Sequence, residues 1–329
     1  MEILITGSAG LIASPLCHKL ILNGHSVIGI DSFINSNSIN TNMLKIKFPK
    51  KFKFFEIDLS LDSEQLVDIL YKYKPCIVIH LAALKSIEDS MRYPEKYWKN
   101  NIKSTFNILD AMKKAGCKNL IYSSSAAVYG NQENQPIKED TELKPISTYG
   151  ETKLECEKLV TMASKKDDIK AISLRYFNPI GSYSGEKFHD FLPKEKGTIM
   201  QEIIKSAIGI NKAIEIYGNS YPTKDGTCER DFIHIDDLID AHIQSIDSIE
   251  SISGHQIYNV GTGNSISILE LIENFINFNN ININYTFAEK IPGDIHTSFA
   301  DVSKINKGLN WQSKKTLKNM VEDSWRPFL

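Results

Sequence analysis

Short apolar runs alternate with longer helical patterns through the first half of the chain. The runs are rich in β-branched residues and nearly all apolar, which is typical of strands that helices cover on both faces of a sheet. They predict strands at Glu2–Thr6, Ser26–Asp31, Lys53–Asp58, Cys76–Leu81, Asn119–Ser124 and Ala171–Tyr176. Strands that alternate with helices in this way predict an α/β fold built on a doubly wound parallel sheet of the Rossmann type.

Two long helical patterns stand out, over Glu95–Ala115 and from Tyr149 to Lys165. Beyond the sixth predicted strand the rhythm changes to loops rich in Gly, Pro, Lys and Asp. We therefore predict one domain over residues 1–177 and a second, smaller α/β domain over residues 178–329, whose segments can interleave with the first.

Composition excludes several classes of protein. A chain of 329 residues fits about two domains, and its 42% hydrophobic and 24% charged residues are ordinary for a globular protein. Disordered, collagen-like and coiled-coil classes are excluded. Because 38 Lys and Arg stand against 40 Asp and Glu, the net charge is −2, and we expect neither nucleic acid nor a membrane as a partner.

The cysteines and the N-terminus point to a reducing compartment. The cysteines lack CxxC spacing, which favours reduced thiols over a disulfide frame or a zinc site. The chain opens directly on a strand pattern without the features of a signal peptide. Its longest apolar stretches, such as Cys76–Leu84, fall far short of the ~20 residues of a membrane span. We expect a cytoplasmic protein with no transmembrane segment and no metal.

A glycine turn follows the first predicted strand. Gly7, Gly10 and Ala13 are spaced as Gly-x-x-Gly-x-x-Ala where a helix opens, so backbone N–H groups can hold a pyrophosphate there. The pattern alone is equally typical of an ordinary tight turn. Asp31 ends the second strand, where an acid accepts a hydrogen bond from a ribose 2′-hydroxyl and repels a 2′-phosphate. This favours NAD over NADP, with a turn-capping Asp as the alternative.

Tyr149 and Lys153 lie four residues apart at the start of a helical pattern, so both side chains leave the same face. A neighbouring cation is expected to lower the pKa of the phenol toward the working range of a base. The spacing by itself is common on helix surfaces. Ser125, however, stands in SSSAAVYG at the C-terminal end of a predicted buried strand, where open α/β sheets bind ligands.

The glycine turn, the strand-end acid, SSSAAVYG, YGETK and RYFNP together resemble the extended short-chain dehydrogenase/reductase family. The segments YPTKDGTCERDFIHIDDL and PGDIHTSFADVSKINKGLNW make the chain similar, more narrowly, to the UDP-glucose 4-epimerases of that family, over essentially its whole length. The resemblance implies NAD-dependent 4-epimerisation of a UDP-hexose through a 4-keto intermediate, with NAD regenerated in place. It also implies a homodimer formed through the long helices of the first domain.

The resemblance assigns roles to individual residues. It implies that Tyr149 is the catalytic base, that Ser125 shares the hydrogen bond of the substrate hydroxyl, and that Lys153 also binds the nicotinamide ribose. The implied cofactor-binding residues are Gly7, Gly10, Leu11, Ile12, Asp31, Asn35, Ser36, Asp58, Leu59, Lys85, Asn100, Lys153 and Tyr176. The implied substrate-binding residues are Ser125, Tyr149, Asn178, Thr198, Tyr217, Arg230, Lys290, Asp294 and Ser298.

Plainer interpretations of some of these residues stay open. Asp58 and Asn100 could cap a strand end or a helix. Arg230 could form a surface ion pair with the adjacent Asp231, which would contribute little. His80 lies in the apolar run CIVIHLAAL and is predicted to be a core histidine with satisfied ring nitrogens.

Three positions depart from the epimerase pattern. Gly197-Thr198-Ile199 stand where Asn-Asn-Leu usually contacts the nucleotide. Ile291 replaces an Arg that faces the diphosphate, with Lys290 adjacent as a substitute point charge. Ser298 replaces a residue, often Tyr, that limits the size of the sugar. The smaller side chain predicts that UDP-N-acetylglucosamine and its 4-epimer are accepted alongside the hexoses.

Other functions stay open. A nucleotide-sugar 4,6-dehydratase would carry an Asp-Glu pair directly after the catalytic hydroxyl residue, where this chain has Ala126-Ala127. A simple NAD(P)-dependent reductase would release the reduced cofactor. A cofactor-sensing module without turnover would not need Tyr149 and Lys153.

Overall fold

A computed structural model describes residues 1–61, 64–188, 192, 197–290 and 295–329. The chain forms two compact units. The first contains Met1–Gly130, Leu143–Arg175 and Ala241–Tyr258, and the second contains Asn131–Glu142, Tyr176–Asp240 and Asn259–Leu329. The chain therefore passes between the units several times.

The first unit is built on a seven-stranded sheet. Its strands are β1 (Glu2–Thr6), β2 (Ser26–Asp31), β3 (Phe52–Glu56), β4 (Ile77–His80), β5 (Asn119–Ser125), β6 (Lys170–Tyr176) and, from later in the chain, β11 (His255–Val260). The strand order in the sheet is β11-β6-β5-β4-β1-β2-β3, and the pairs from β3 to β5 are all parallel. Strands up to β3 are added on one side of β1, and β4 and later strands are added on its other side, so the connectivity switches between β1 and β4. The glycine turn after β1 thus lies at the switch point where open sheets bind ligands.

Helices separate these strands along the chain. They are α1 (Ala13–Leu22), α2 (Ile39–Lys47), α3 (Glu64–Tyr73), α4 (Ile87–Arg92), α5 (Pro94–Tyr97), α6 (Lys103–Ala115) and α7 (Thr148–Asp167). The helix predicted over Glu95–Ala115 is interrupted, because Trp98–Ile102 form a π-helical turn between α5 and α6. Gly116 ends α6 with a left-handed φ of 72°.

All six predicted strands are present: two have the predicted ends, and the ends of the other four differ by at most two residues. The strand predicted over Lys53–Asp58, for example, ends at Glu56. The seventh strand, β11, was not predicted, because HQIYNV mixes polar and apolar residues and lies far along the chain from the other strands. The core of this unit buries apolar side chains of both strands and helices, among them Leu4, Ile28, Val78, Leu66 and Met112.

The second unit holds three small sheets. Its strands are β7 (Asn178–Ile180), β8 (Ile214–Tyr217), β9 (Glu229–Arg230), β10 (Phe232–His234), β12 (Ile266–Ser267), β13 (Tyr285–Ala288) and β14 (Thr297–Ser298). They pair as β10-β7, β12-β9-β14 and β13-β8. The remaining helices are α8 (Ile199–Ala207), α9 (Ile235–Ser248), which contributes to both units, α10 (Ile268–Asn279), α11 (Ser303–Leu309) and α12 (Leu317–Trp325).

The second unit has a hydrophobic core of its own. Ile203 of α8, Phe232 of β10, Phe275 of α10 and Val321 of α12 are all buried in it. Within the described part of the chain, no helix combines the length and the apolar character needed to cross a membrane.

Candidate functional site

The glycine turn has the geometry of a dinucleotide cradle. Gly7 has a φ of 69°, and a Cβ there would lie 2.9 Å from the backbone nitrogen of Ala82, so only glycine fits without strain. The N–H of Gly10 donates to the carbonyl of Gly7 at 2.9 Å. Within the described residues, the N–H groups of Leu11 and Ile12 donate to no other backbone group, just before α1 begins. These donors and the helix N-terminus fit a pyrophosphate.

Asp31 accepts three hydrogen bonds at the end of β2. Its Oδ2 accepts from the N–H of Ala9 in the glycine turn at 2.9 Å, and its Oδ1 accepts from the N–H of Phe33 and the hydroxyl of Ser36, each at 2.9 Å. An ionised carboxylate offers about four acceptor positions, so one is left for a ribose hydroxyl. The turn-capping interpretation is therefore correct without excluding the ribose contact.

The sequence patterns did not single out Phe33. This residue has a left-handed φ of 55°, which is uncommon for a bulky side chain. Its ring stacks on Phe54 of β3 at 5.2 Å between centroids, and Lys45 Nζ lies 4.5 Å from the Phe54 ring. An aromatic surface therefore stands close to Asp31 along the chain, at the β3 edge of the sheet.

Asp58 and Leu59 are both engaged within the chain. Asp58 Oδ1 accepts from the N–H of Ser60 at 2.8 Å and from its hydroxyl at 2.7 Å, so this residue caps a turn as its plainer interpretation stated. Leu59 is buried, and its carbonyl accepts from Asn107 at 2.7 Å. Neither contact prevents adenine from packing against this turn.

The other cofactor candidates differ in burial. Asn100 is half-buried on the π-helical turn, Lys85 is exposed and Tyr176 is buried. The neighbouring Asn101 was missed. It is 2% exposed, accepts from the N–H of Leu84 at 2.8 Å and donates to the same residue's carbonyl at 3.0 Å. The spacing of apolar residues could not show that Asn101, and not Asn100, faces inward, because a π-helical turn shifts the helical register.

The structure brings Ser125, Tyr149 and Lys153 together between β5 and α7. Ser125, the last residue of β5, forms a hydrogen bond with the Tyr149 side chain, and its Oγ also accepts from the N–H of Ala127 at 3.2 Å. Lys153 Nζ lies 5.9 Å from the centre of the Tyr149 ring and donates to the carbonyl of Ser123 at 2.7 Å. The Ser, Tyr and Lys predicted from spacing thus form one cluster.

The expectation that a neighbouring cation lowers the pKa of Tyr149 is wrong for the protein chain alone. Burial raises the pKa of Tyr149 to about 12, although the hydrogen bond from Ser125 works in the opposite direction. Burial also lowers the pKa of Lys153 to about 8. The ammonium binds the Ser123 carbonyl and not the phenol, so the loss of solvation outweighs its attraction for a phenolate.

His80 is a core histidine, as predicted. It is 1% exposed, and its ring nitrogens bind the hydroxyls of Thr6 at 2.7 Å and Thr105 at 3.1 Å. Burial lowers its pKa to about 3, with a further contribution from the charge of Lys153. The ring is therefore neutral near pH 7.

In the second unit, Arg230 and Ser298 are cross-strand partners of β9 and β14. Arg230 Nη1 donates to the carbonyl of Glu229 at 2.9 Å and to that of Ile295 at 2.6 Å. Asn178, at the start of β7, donates through its side chain to the carbonyl of Asp231 at 3.1 Å. Arg230 and Ser298 thus lie in one three-stranded sheet, and Asn178 is bound to the residue that follows β9.

Asp231 is fully buried, so its proposed surface ion pair with Arg230 is wrong. Its carboxylate accepts from the N–H and hydroxyl of Thr262, each at 2.7 Å, and from the N–H groups of Gly263 at 3.0 Å and Ala300 at 3.1 Å. A Cβ on Gly261 would clash with this carboxylate at 2.4 Å. The side chain therefore holds two loops in place next to Arg230.

The remaining substrate candidates already bind neighbouring groups. Thr198 caps α8 in a capping box with Gln201, and the Tyr217 hydroxyl donates to Glu215 at 2.7 Å. Lys290 Nζ donates to the carbonyl of Ser220 at 2.8 Å and lies 4.4 Å from the Tyr221 ring. Asp294 and Ile291 lie outside the described residues.

A model of the NAD dependent epimerase/dehydratase family matches residues 3–261. The chain belongs to this family. The cradle at Gly7, the acid at the end of β2 and the Ser-Tyr-Lys cluster fit the NAD that gives the family its name, so the family predicted from sequence motifs is confirmed.

Curated relatives in this family cover nearly the whole chain. The UDP-glucose 4-epimerase of Bacillus subtilis (strain 168) is 37% identical over 327 residues, which cover 99% of this chain and 96% of that protein. The UDP-glucose 4-epimerase of Drosophila melanogaster is 33% identical over 334 residues, which cover 98% and 95%.

Solved structures of the family share the fold. The UDP-glucose-4-epimerase from Stenotrophomonas maltophila, with bound NAD and formylated UDP-arabinopyranose, is 33% identical with a TM-score of 0.94, and the match covers 99% of this chain and 97% of that one. The UDP-Glc/GlcNAc 4-epimerase from Campylobacter jejuni is 30% identical with a TM-score of 0.87, covering 99% and 98%. The predicted fold class is confirmed.

Proposed function

We propose that the protein is an NAD-dependent 4-epimerase that interconverts UDP-glucose and UDP-galactose. The observation that carries this proposal is the hydrogen bond between Ser125 and Tyr149, with Lys153 beside it, at the C-terminal end of β5. Relatives named UDP-glucose 4-epimerase, at 33% and 37% identity over nearly the whole chain, support the same reaction.

Tyr149 transfers the proton, and Ser125 assists through a hydrogen bond. The Tyr149 oxygen takes the proton of the sugar 4-hydroxyl and later returns it, while Ser125 Oγ shares the hydrogen bond of that hydroxyl. Bound NAD supplies the hydride acceptor and donor at C4. The 4-keto sugar turns over between the two half-reactions, so both C4 epimers form without net oxidation.

Lys153 stabilises the phenolate form of Tyr149 through space. In the chain alone the pKa of Tyr149 is raised to about 12 by burial, so the phenol is protonated at neutral pH. Any further positive charge bound near the phenol lowers this pKa. A protonated Lys153 is therefore necessary for the base but does not by itself produce it.

The other implied substrate residues lie in the second unit. Arg230 offers a guanidinium for the diphosphate, Asn178 offers an amide, and Ser298 stands beside Arg230 on the neighbouring strand. Thr198, Tyr217 and Lys290 would have to exchange their present partners, and Asp294 keeps the role that the resemblance implies.

A small Ser298 admits an N-acetyl group on the sugar. We propose that UDP-N-acetylglucosamine and UDP-N-acetylgalactosamine are substrates as well. The similar structure named UDP-Glc/GlcNAc 4-epimerase shows that this fold is compatible with both sugar classes in a relative.

The other reactions of this fold are disfavoured. Ala126 and Ala127 form the turn after Ser125, and neither side chain can carry a proton for the elimination that a dehydratase performs. A reductase would leave reduced cofactor in proportion to product. A sensing module would show no turnover.

A second copy of the chain is the proposed protein partner. Large apolar side chains are exposed on neighbouring helices of the first unit, among them Trp98, Phe106 and Met162, at 40% to 54% of their surfaces. A homodimer that packs these helices together would cover them. Phe106→Glu should produce a monomer in size-exclusion chromatography with light scattering, and an unchanged mass would contradict this interface. A cytoplasmic location stays a prediction.

The reaction is tested with purified protein and no added cofactor. UDP-galactose and, separately, UDP-N-acetylgalactosamine are incubated with the protein, and the anomeric protons are followed by NMR. Conversion of each to a mixture of both C4 epimers is the expected result. A 4-keto-6-deoxy product would indicate a dehydratase, and no conversion even with NAD supplied would overturn the proposal.

A further inference from the structure

Three side chains of α7 contact the end of β5. Tyr149, Lys153 and Glu157 lie at successive helical turns, and each contacts a different residue of the Ser123–Ser125 segment. The third contact is a hydrogen bond from the hydroxyl of Ser124 to Glu157 Oε1 at 2.6 Å. Glu157 therefore belongs to the same helix face as the catalytic Tyr and Lys.

Glu157 is itself held by Arg175 of β6. Arg175 Nε donates to Oε1 at 2.9 Å and Nη2 donates to Oε2 at 2.7 Å, a two-point contact between side chains that are only 2% and 4% exposed. Arg175 Nη1 also donates to the hydroxyl of Tyr129 at 2.9 Å. Through this carboxylate, α7 is bound to two neighbouring strands of the sheet.

Glu157 is the anion that faces Lys153. The titratable groups around the ammonium are Tyr149 and Cys156 of α7, Tyr122 of β5, His80 of β4, and, beyond Glu157, Arg175 of β6. Burial raises the pKa of Tyr122, Tyr149 and Cys156 and lowers that of His80. All four side chains are therefore neutral near pH 7. Among these described groups, only Glu157 carries a negative charge.

We propose that Glu157 is a positioning residue for epimerisation: it holds α7 in the register that places Tyr149 and Lys153 against the end of β5, and its charge keeps Lys153 cationic. This inference rests on the proposed function for its kinetic test. Loss of the carboxylate would leave two buried cations, Lys153 and Arg175, without an anion between them.

The test compares Glu157→Gln with Glu155→Gln, a matched change on the same helix at an exposed residue that pairs with Lys158. Turnover of UDP-galactose is measured against pH. For Glu157→Gln we expect kcat to be at least about tenfold lower and KM to stay within about twofold of the wild type. The fall of kcat on the alkaline side of the pH profile, its alkaline limb, should begin about one pH unit lower. Glu155→Gln should match the wild type. An unmoved limb in Glu157→Gln would overturn the electrostatic role.

A second variant tests the same role if Glu157→Gln folds poorly. Arg175→Lys keeps the charge that faces Glu157 but loses the two-point contact. The positioning role predicts a lower kcat with an unmoved alkaline limb, and an unchanged kcat would contradict it.

A substrate-free measurement separates this inference from the proposed function. The pKa of the Lys153 ammonium, followed by NMR of ¹³C-labelled lysine and assigned by comparison with Lys153→Ala, should be lower in Glu157→Gln than in the wild type, because the buried anion beside it is lost. The same pKa in Glu157→Gln and the wild type would refute the inference even if the protein acts on another sugar.

Discussion

The ammonium group of Lys153 donates a hydrogen bond to the main-chain carbonyl of Ser123 at 2.7 Å, while the centre of the Tyr149 ring lies 5.9 Å away. The lysine is therefore oriented by the strand and acts on the phenol through space. Since burial lowers the pKa of Lys153 to about 8 and raises that of Tyr149 to about 12, the two groups are sensitive to any change in nearby charge.

The first prediction concerns pH. Turnover should fall as pH rises through about 8, because the Lys153 ammonium is present below its pKa and is lost above it. The measurement is kcat for UDP-galactose across this range, with cofactor retention monitored in parallel. A profile that stays flat well above pH 8 would show that Lys153 keeps its proton there.

The second prediction concerns the proton carrier. Tyr149→Phe should lower kcat by at least about a hundredfold, because the phenol is the group that exchanges the proton of the 4-hydroxyl. Lys153→Ala should show a loss of similar size. Tyr71→Phe removes an exposed hydroxyl that binds the Lys114 carbonyl, and it serves as the control with normal turnover. Near-normal rates for Tyr149→Phe would disprove its role.

The third prediction concerns the cofactor cradle. Gly7→Ala should abolish retention of NAD, because the added methyl would meet the Ala82 backbone at 2.9 Å and Gly7 has a φ of 69°. Gly24→Ala is the matched control, since Gly24 also has a positive φ, 94°, but nothing within 4 Å of an added Cβ. Dinucleotide absorbance in the supernatant of denatured protein reports retention. Equal retention in both variants would count against the cradle.

The fourth prediction concerns sugar size. Ser298→Tyr should lower kcat/KM for UDP-N-acetylgalactosamine by at least about tenfold and leave UDP-galactose within about threefold, because a phenol fills the space of an N-acetyl group. Rates are compared by NMR under identical conditions. If both sugars respond alike, Ser298 does not control substrate size.

Much of the first unit could be predicted from local pattern. Six strands were found, and five of them are buried along nearly their whole length, where a strand covered on both faces must be apolar. β11 was missed because it lies at the edge of the sheet and carries polar residues. The π-helical turn at Trp98–Ile102 was missed because the sequence there continues an ordinary helical pattern.

By itself, the sequence determined six of the seven strands of the first unit's sheet, the glycine turn, and the four-residue spacing that puts Tyr149 and Lys153 on one helix face. These features depend on neighbours within a few residues, so periodicity and residue type suffice. Only the tertiary structure decided that Glu157 binds Arg175, that Asp231 is buried away from Arg230, and that burial raises the pKa of Tyr149. Buried polar groups take their partners and their loss of solvation from segments that are distant in the chain, and those become neighbours only when the sheets and helices pack.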